Sequence, residues 1–320
     1  RVPFIWMGTM LQFGGLAIMP FALLVLSGGG DAGRWPAWVG QAGAGFAFLL
    51  VGAGLHTVQT AGLALATDLA PRETQPRVVG LMYVMLLAGT VVSAFAFGAF
   101  LADFTPGRLV QVIQAAALAT MVLNVVALWK QEARHARDAR GARAAPRGAG
   151  DDDEAPTHFL DAWRAFAARP GVRRRLVVIA LGTLAFGMQD VLLEPYGGQV
   201  LGLGVGATTW LTAALAGGGL IGFSVASAVL SRGADPMRMA AAGAFAGLPA
   251  FAAVLAGGAW LSVPVFALGV FAIGLGAGLF GHGTLTATMR SAPDAQAGLA
   301  LGAWGAVQAT AAGGGVAAGG

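Results

Sequence analysis

The sequence contains no cysteine, only 2 tyrosines and 4 histidines, and only 11% charged residues in 320. Without cysteine there are no disulfides, thiolate metal sites or cysteine nucleophiles. The scarcity of charge excludes more. With 57% hydrophobic residues and a mean hydropathy of +0.72, the polar residues are too few to cover a soluble globule, so the chain needs lipid as its solvent. It reads as a polytopic membrane protein. Glycine is abundant, at 51 residues. In a bilayer such small residues let helices approach closely, where packing drives association. No hydrolytic triad, zinc cluster or phosphate loop is present, so no enzyme is expected. The run Gly276-Ala277-Gly278-Leu279-Phe280-Gly281 fits a dinucleotide-binding pattern, but it follows no strand and lies inside an apolar span, so it is read as helix packing.

Stretches of about 20 mostly apolar residues mark spanning helices. Nine are expected, at 4 to 27, 37 to 66, 79 to 102, 108 to 129, 175 to 195, 206 to 230, 237 to 256, 260 to 284 and 297 to 320. If Arg1 is cytoplasmic, their alternation puts all but Arg34 and Arg108 of the 19 lysines and arginines on the cytoplasmic side, a positive-inside bias. Tryptophans 6, 35, 38, 129 and 210 fall near expected span ends, where indoles anchor at headgroups.

Between the fourth and fifth spans runs a polar segment with arginines at about every third position, a small-residue stretch and the acidic run Asp151 to Glu154. It cannot bury a core and reads as a solvated cytoplasmic linker beside anionic lipid rather than a nucleic-acid binder. The division is therefore 1–130 as an N-terminal helical half, 131–172 as linker and 173–320 as a C-terminal helical half. Within the linker, at about 157–169, Phe159, Leu160, Trp163 and Phe166 share one face, which predicts an amphipathic helix lying on the membrane.

The two halves carry a repeat. Gly52-Ala53-Gly54-Leu55 matches Gly276-Ala277-Gly278-Leu279 at an offset of 224, and Ala70-Pro71 matches Ala292-Pro293 at an offset of 222. A repeat in the same membrane orientation predicts the parallel halves of the major facilitator architecture, six spans plus six. The long loop then follows the sixth span, so the nine spans are the third to the eleventh. Two are expected before Arg1 and one after Gly320.

Polar side chains inside the spans are the candidate site residues, because in hydrocarbon they usually serve a function. His56 on the second span and His282 on the eighth come about one helical turn apart when the repeat is superposed, and Gln59 and Thr60 share the face of His56. Each histidine offers a neutral imidazole nitrogen that can serve as an axial metal ligand; the plainer alternative is a hydrogen bond to a neighbouring helix. Asp190 and Glu194, at i and i+4 before Pro195, are candidates for proton coupling or for bonding a neighbouring span. Asp68, Arg72 and Arg77, at the elbow after the second span, form a candidate cytoplasmic latch.

Four segments carry a resemblance. RVPFIWMGTMLQFGGLAIMPFALL (1 to 24), HTVQTAGLALATDLAPRETQPRVVGLMYVML (56 to 86), RLVQVIQAAALATMVLNVVALWKQE (108 to 132) and MQDVLLEPYGGQVLGLGVGATTWLTA (188 to 213) together resemble the PucC/LhaA family, the bacteriochlorophyll-delivery branch of the major facilitator fold. The resemblance implies an assembly factor for bacterial light-harvesting antennas that binds or delivers bacteriochlorophyll, with carotenoid as a second pigment it allows; it makes His56, Gln59, Thr60 and His282 the candidate pigment site, with the two histidines as candidate axial ligands of the chlorin magnesium. The implied partners are the antenna alpha and beta polypeptides, the core antenna with its reaction centre, and membrane lipid, with no nucleic acid. The implied location is the bacterial inner membrane or intracytoplasmic photosynthetic membrane. A proton-coupled transporter of a small solute and a pigment-free membrane chaperone are the alternatives.

Overall fold

The computed structural model describes residues 1–28, 35–70, 75–129, 159–291 and 297–319. Every regular element among them is helical: α1 (Val2–Ser27), α2 (Ala37–Leu69), α3 (Gln75–Phe100), α4 (Pro106–Leu128), α5 (Phe159–Ala167), α6 (Val172–Gly187), α7 (Leu193–Leu201), α8 (Val205–Ser231), α9 (Pro236–Ala259), α10 (Val263–Ser291) and α11 (Ala297–Gly319). Seven of these, α1 to α4 and α8 to α10, are long and apolar enough to cross a membrane. The chain is a multi-pass membrane protein.

Two of the nine expected spans are built differently. The one placed at 175 to 195 is interrupted: α6 ends at Gly187 after 16 residues, and the chain passes through turns before resuming as the 9-residue α7. The last expected span is the 23-residue α11. Its length suffices, but Gln308, Trp304 and many glycines dilute its apolarity, and it is not among the seven.

The chain forms two compact units. The first comprises Arg1–Leu69 and Thr105–Ala155; the second comprises Ala70–Phe104 and Pro156–Gly320. In the first unit α1 packs along α2 and also meets α4. The crossing of α1 and α2 needs glycine. A Cβ on Gly54 would stand 2.5 Å from both Gly8 O and Gln12 N, inside any permitted contact. Val2, Ile5 and Leu65 bury together beside Trp6, Val58 and Leu128.

In the second unit α10 is central, packed against α9, α8 and α11, while α3 lies on α8 and α6 on α11. Its core gathers Leu193, Leu211, Ala250, Val254, Phe266, Val270 and Ile273. Gly276 is part of the α9–α10 contact, where an added Cβ would meet Gly243 O at 2.8 Å, so the glycine-rich run is helix packing.

Helix ends are secured by side chains. Asp235 caps α9, accepting from Met237 N at 2.7 Å and Arg238 N at 3.1 Å; the backbone amides of Arg238 and then Met237 hold its carboxyl below the usual range. Thr105 caps α4 through Arg108 N. Arg290 of α10 donates to Leu230 O and Ala234 O at the end of α8. Arg175 of α6 in turn donates to Ala287 O and Ser291 Oγ at the end of α10.

The amphipathic helix forms as α5, yet protein meets its apolar side. Phe166 is 2% exposed and packs with Val172, Ala300 and Ala303, flanked by Trp163, Leu176 and Leu299. On the part of this face that Phe166 and Trp163 form, α6 and α11 offer apolar surface of their own.

Candidate functional site

In the first unit His56 sits on α2, 19 residues along from Ala37, so about 29 Å up the helix at 1.5 Å per residue. Its imidazole is exposed and borders an open groove of about 470 Å³ lined by Arg1, Phe4, His56, Thr57, Thr60, Ala61 and Ala64. The lining is a shelf of methyl groups and one aromatic ring, with polar atoms from the histidine, two threonines and an arginine. Thr57 turns its hydroxyl back to Ala53 O at 2.7 Å. Thr60 shares the groove with His56 as the spacing predicts; Gln59 does not line it.

His282 on α10 stands in a different setting. It is 7% exposed, its ring lies 4.1 Å from the Phe223 ring at 59°, and Gly80 of α3 lies beside it, where an added Cβ would stand at an ordinary van der Waals distance of 3.9 Å from its Cε1. Tyr83 stacks on Phe223 at 5.4 Å and meets Trp304 edge-on at 5.8 Å. The Trp304 indole donates to Thr284 Oγ1 at 3.2 Å, and that hydroxyl donates to Gly281 O at 3.0 Å. The result is a closed aromatic box drawn from α3, α8, α10 and α11. Within it His282 Nδ1 has no hydrogen-bond partner, an expensive state for a buried polar atom.

Asp190 lies in the break between α6 and α7, and Glu194 in the first turn of α7. The Asp190 carboxylate is exposed and accepts from Gln189 Nε2, while Glu194 accepts from Thr212 Oγ1 of α8 at 2.5 Å. Arg72 lies outside the described residues, as do the side chains of Asp68 and Arg77. Among the described residues no group of three or more histidines, aspartates or glutamates is arranged for a metal. The sequence reading missed Phe4, Thr57, Tyr83, Phe223, Trp304, Gln189 and Thr212. Gln189 and Thr212 carried a signal, being polar residues within apolar stretches; the aromatic residues carried none beyond their type.

The family model for PUCC protein matches residues 1–320. The chain is 63% identical to Protein PucC of Rhodovulum sulfidophilum, over all of this chain and 69% of that protein. It is 60% identical to Protein PucC of Rhodobacter capsulatus, over 99% of this chain and 67% of that one. A more distant relative, 28% identical over 84% of this chain and 61% of its own length, is the bacteriochlorophyll synthase 44.5 kDa chain of Rhodobacter capsulatus. The chain thus spans about two thirds of the length of its PucC relatives. Among solved structures, a bacterial homologue of the iron transporter ferroportin in its inward-facing state superposes with a TM-score of 0.66 at 19% identity, over 100% of this chain and 75% of that one. That likeness gives the architecture: an all-helical membrane protein of the major facilitator fold. The whole-chain family match and the high identity to the PucC proteins place the chain in the PUCC protein family.

Proposed function

We propose that this chain is the larger part of an assembly factor for bacterial light-harvesting antennas, one that binds or delivers bacteriochlorophyll and accompanies antenna alpha and beta polypeptides during assembly in the inner or intracytoplasmic membrane. The observation that carries the reading is His56: an exposed imidazole in mid-helix, above an open groove with a methyl-rich lining. The name of the 28%-identical relative, a bacteriochlorophyll synthase chain, supports the same pigment.

The groove suits such a cargo by its chemistry. A chlorin offers one open axial position on magnesium. A neutral imidazole is a ligand of the right kind, and Phe4, Ala61 and Ala64 supply the apolar surface on which a flat ring rests. Thr57 has its hydroxyl satisfied by Ala53 O, which leaves its methyl as lining. The surroundings of His282 differ: it is 7% exposed and Phe223 packs on its ring. On this reading His56 holds the pigment, His282 is a packing residue of the second unit, and the protein performs no catalysis.

The test is the near-infrared absorption of the full-length protein purified from a bacteriochlorophyll-producing host. A chlorin band present in the wild type and lost in His56→Phe is the expected result. A wild type with no band leaves the pigment-free chaperone. A band unchanged in His56→Phe moves the ligand elsewhere. Antenna assembly unaltered in Asp190→Asn with Glu194→Gln counts against proton-coupled transport.

A further inference from the structure

The turn between α6 and α7 gathers oxygen atoms that the protein leaves unanswered. Gln189 is 8% exposed. Its Nε2 donates to Phe186 O at 3.0 Å and to the Asp190 carboxylate, so the amide lies against that carboxylate, yet its Oε1 has no hydrogen-bond partner. The main chain adds more oxygen. Asp190 N bonds Gly187 O, Leu192 N and Leu193 N both go to Gln189 O, and Tyr196 N goes to Leu192 O. None of these bonds reaches the carbonyls of Asp190 or Val191. For Val191 the reason is in the sequence, since the helical donor would be the nitrogen of Pro195, which carries no hydrogen. Glu194 follows one turn after Asp190. Among the described residues neither carboxylate has a salt-bridge partner.

A buried amide oxygen without a donor costs free energy, as do two carboxylates one turn apart without a counter-charge. A cation relieves both, and the donor set selects its kind. With no nitrogen or sulfur ligand, the set does not suit zinc or copper. Carboxylates, an amide oxygen and main-chain carbonyls on an irregular turn suit calcium, which takes 6 to 8 oxygens in flexible geometry, better than magnesium, which demands a near-ideal octahedron. Broken helices within membrane bundles offer their unwound carbonyls to cations in this way.

We propose that the α6–α7 break binds a hard divalent cation of the calcium class, with Asp190 and Glu194 as charged ligands and Gln189 Oε1 and the carbonyls of Asp190 and Val191 as neutral ones. The site lies wholly in the second unit and is independent of the pigment reading. The Thr212 hydroxyl bonded to Glu194 orients that carboxylate.

The experiment uses the full-length protein in detergent, stripped with a chelator and titrated with calcium chloride by calorimetry and by thermal unfolding. One equivalent of calcium binds, the unfolding temperature rises with calcium by linkage, and magnesium at equal concentration gives less. Asp190→Asn combined with Glu194→Gln weakens binding by at least about 10-fold, since loss of an orienting partner alone costs about that much. Gln189→Glu keeps the shape and adds a charge, so it tightens calcium while lowering the unfolding temperature of the metal-free protein. The proposal is overturned by the absence of saturable calcium binding, by calcium affinity unchanged in the double variant, or by calcium failing to tighten in Gln189→Glu. It is also overturned if acidification to about pH 5 gives the whole stabilisation and calcium adds nothing, because the carboxyls are then satisfied by protons.

Discussion

The helix pair α1–α2 in the first unit and the pair α8–α10 in the second are built on one contact. Gly54 faces Gly8 O and Gln12 N, and Gly278 faces Gly219 O and Phe223 N, in each case a carbonyl and an amide four residues apart on the partner helix. Glycines 54 and 278 are separated by the repeat offset of 224. Their surroundings differ. In the second unit the residue at the amide position is Phe223, which covers His282, and α3, α9 and α11 close around the pair. In the first unit that position is Gln12, and His56 faces an open groove. The repeat therefore transmits the backbone crossing but not the histidines: under that offset His56 aligns with Phe280 and His282 with Val58, so the two imidazoles leave their helices on different faces, one toward the groove and the other into the packed interior of its unit.

Substituting the two glycines is the severest test of this comparison. Gly278→Val drives a side chain against Gly219 O and Phe223 N and is expected to cost at least the roughly 1–3 kcal/mol of overpacking. Gly54→Val should cost less, because α1 and α2 have fewer neighbours to hold them in place. Thermal unfolding in detergent followed by circular dichroism measures both, and equal losses would break the comparison.

Exchanging the histidines separates the two environments by sign. His282→Phe relieves an unsatisfied buried nitrogen, so stability should hold or rise by about 1 kcal/mol with any chlorin band intact, whereas His56→Phe should leave stability unchanged and remove the band. A His282 variant that loses the band would reverse the assignment of roles.

Within the closed box, Trp304→Phe deletes the indole bond to Thr284 and should destabilise by about 1 kcal/mol, read by the same unfolding assay. The smallest effect concerns the caps. Asp235 has a carboxyl held below its ordinary 3.8 by backbone amides, so its contribution is complete above that value and is lost as the pH falls through the lowered pKa. The corresponding cap in the first unit, Thr105 on α4, does not titrate. Asp235→Ala should thus remove a small acid-sensitive component of stability, and Thr105→Ala should leave the acid dependence as it was; a pH series of unfolding temperatures distinguishes them.

Hydropathy made most of this architecture readable, because a run such as Val205–Ser231 has only one way to satisfy its backbone in lipid. The break after Gly187 was not readable for a local reason. Val191, Leu192 and Leu193 continue the apolar run, and the only proline, Pro195, stands after the turn. His56 and Thr60 were legible as neighbours from helical spacing alone. The box around His282 was not, since Tyr83, Phe223 and Trp304 are brought together by packing among helices far apart in sequence. Gln189 escaped notice because an amide beside a carboxylate looks satisfied until its second atom is counted.

The arginine ties at the helix ends have a mechanical consequence. Arg175 fastens α6 to the end of α10, and Arg290 fastens α10 to the end of α8. Three helices are thereby coupled in series, like carriages, at one end of the second unit. A displacement of α6 at that end is therefore handed through Arg175 to α10 and through Arg290 to α8, while at the opposite end the same helices are joined by the core around Leu193, Leu211 and Phe266 and by the Thr212 bond to Glu194.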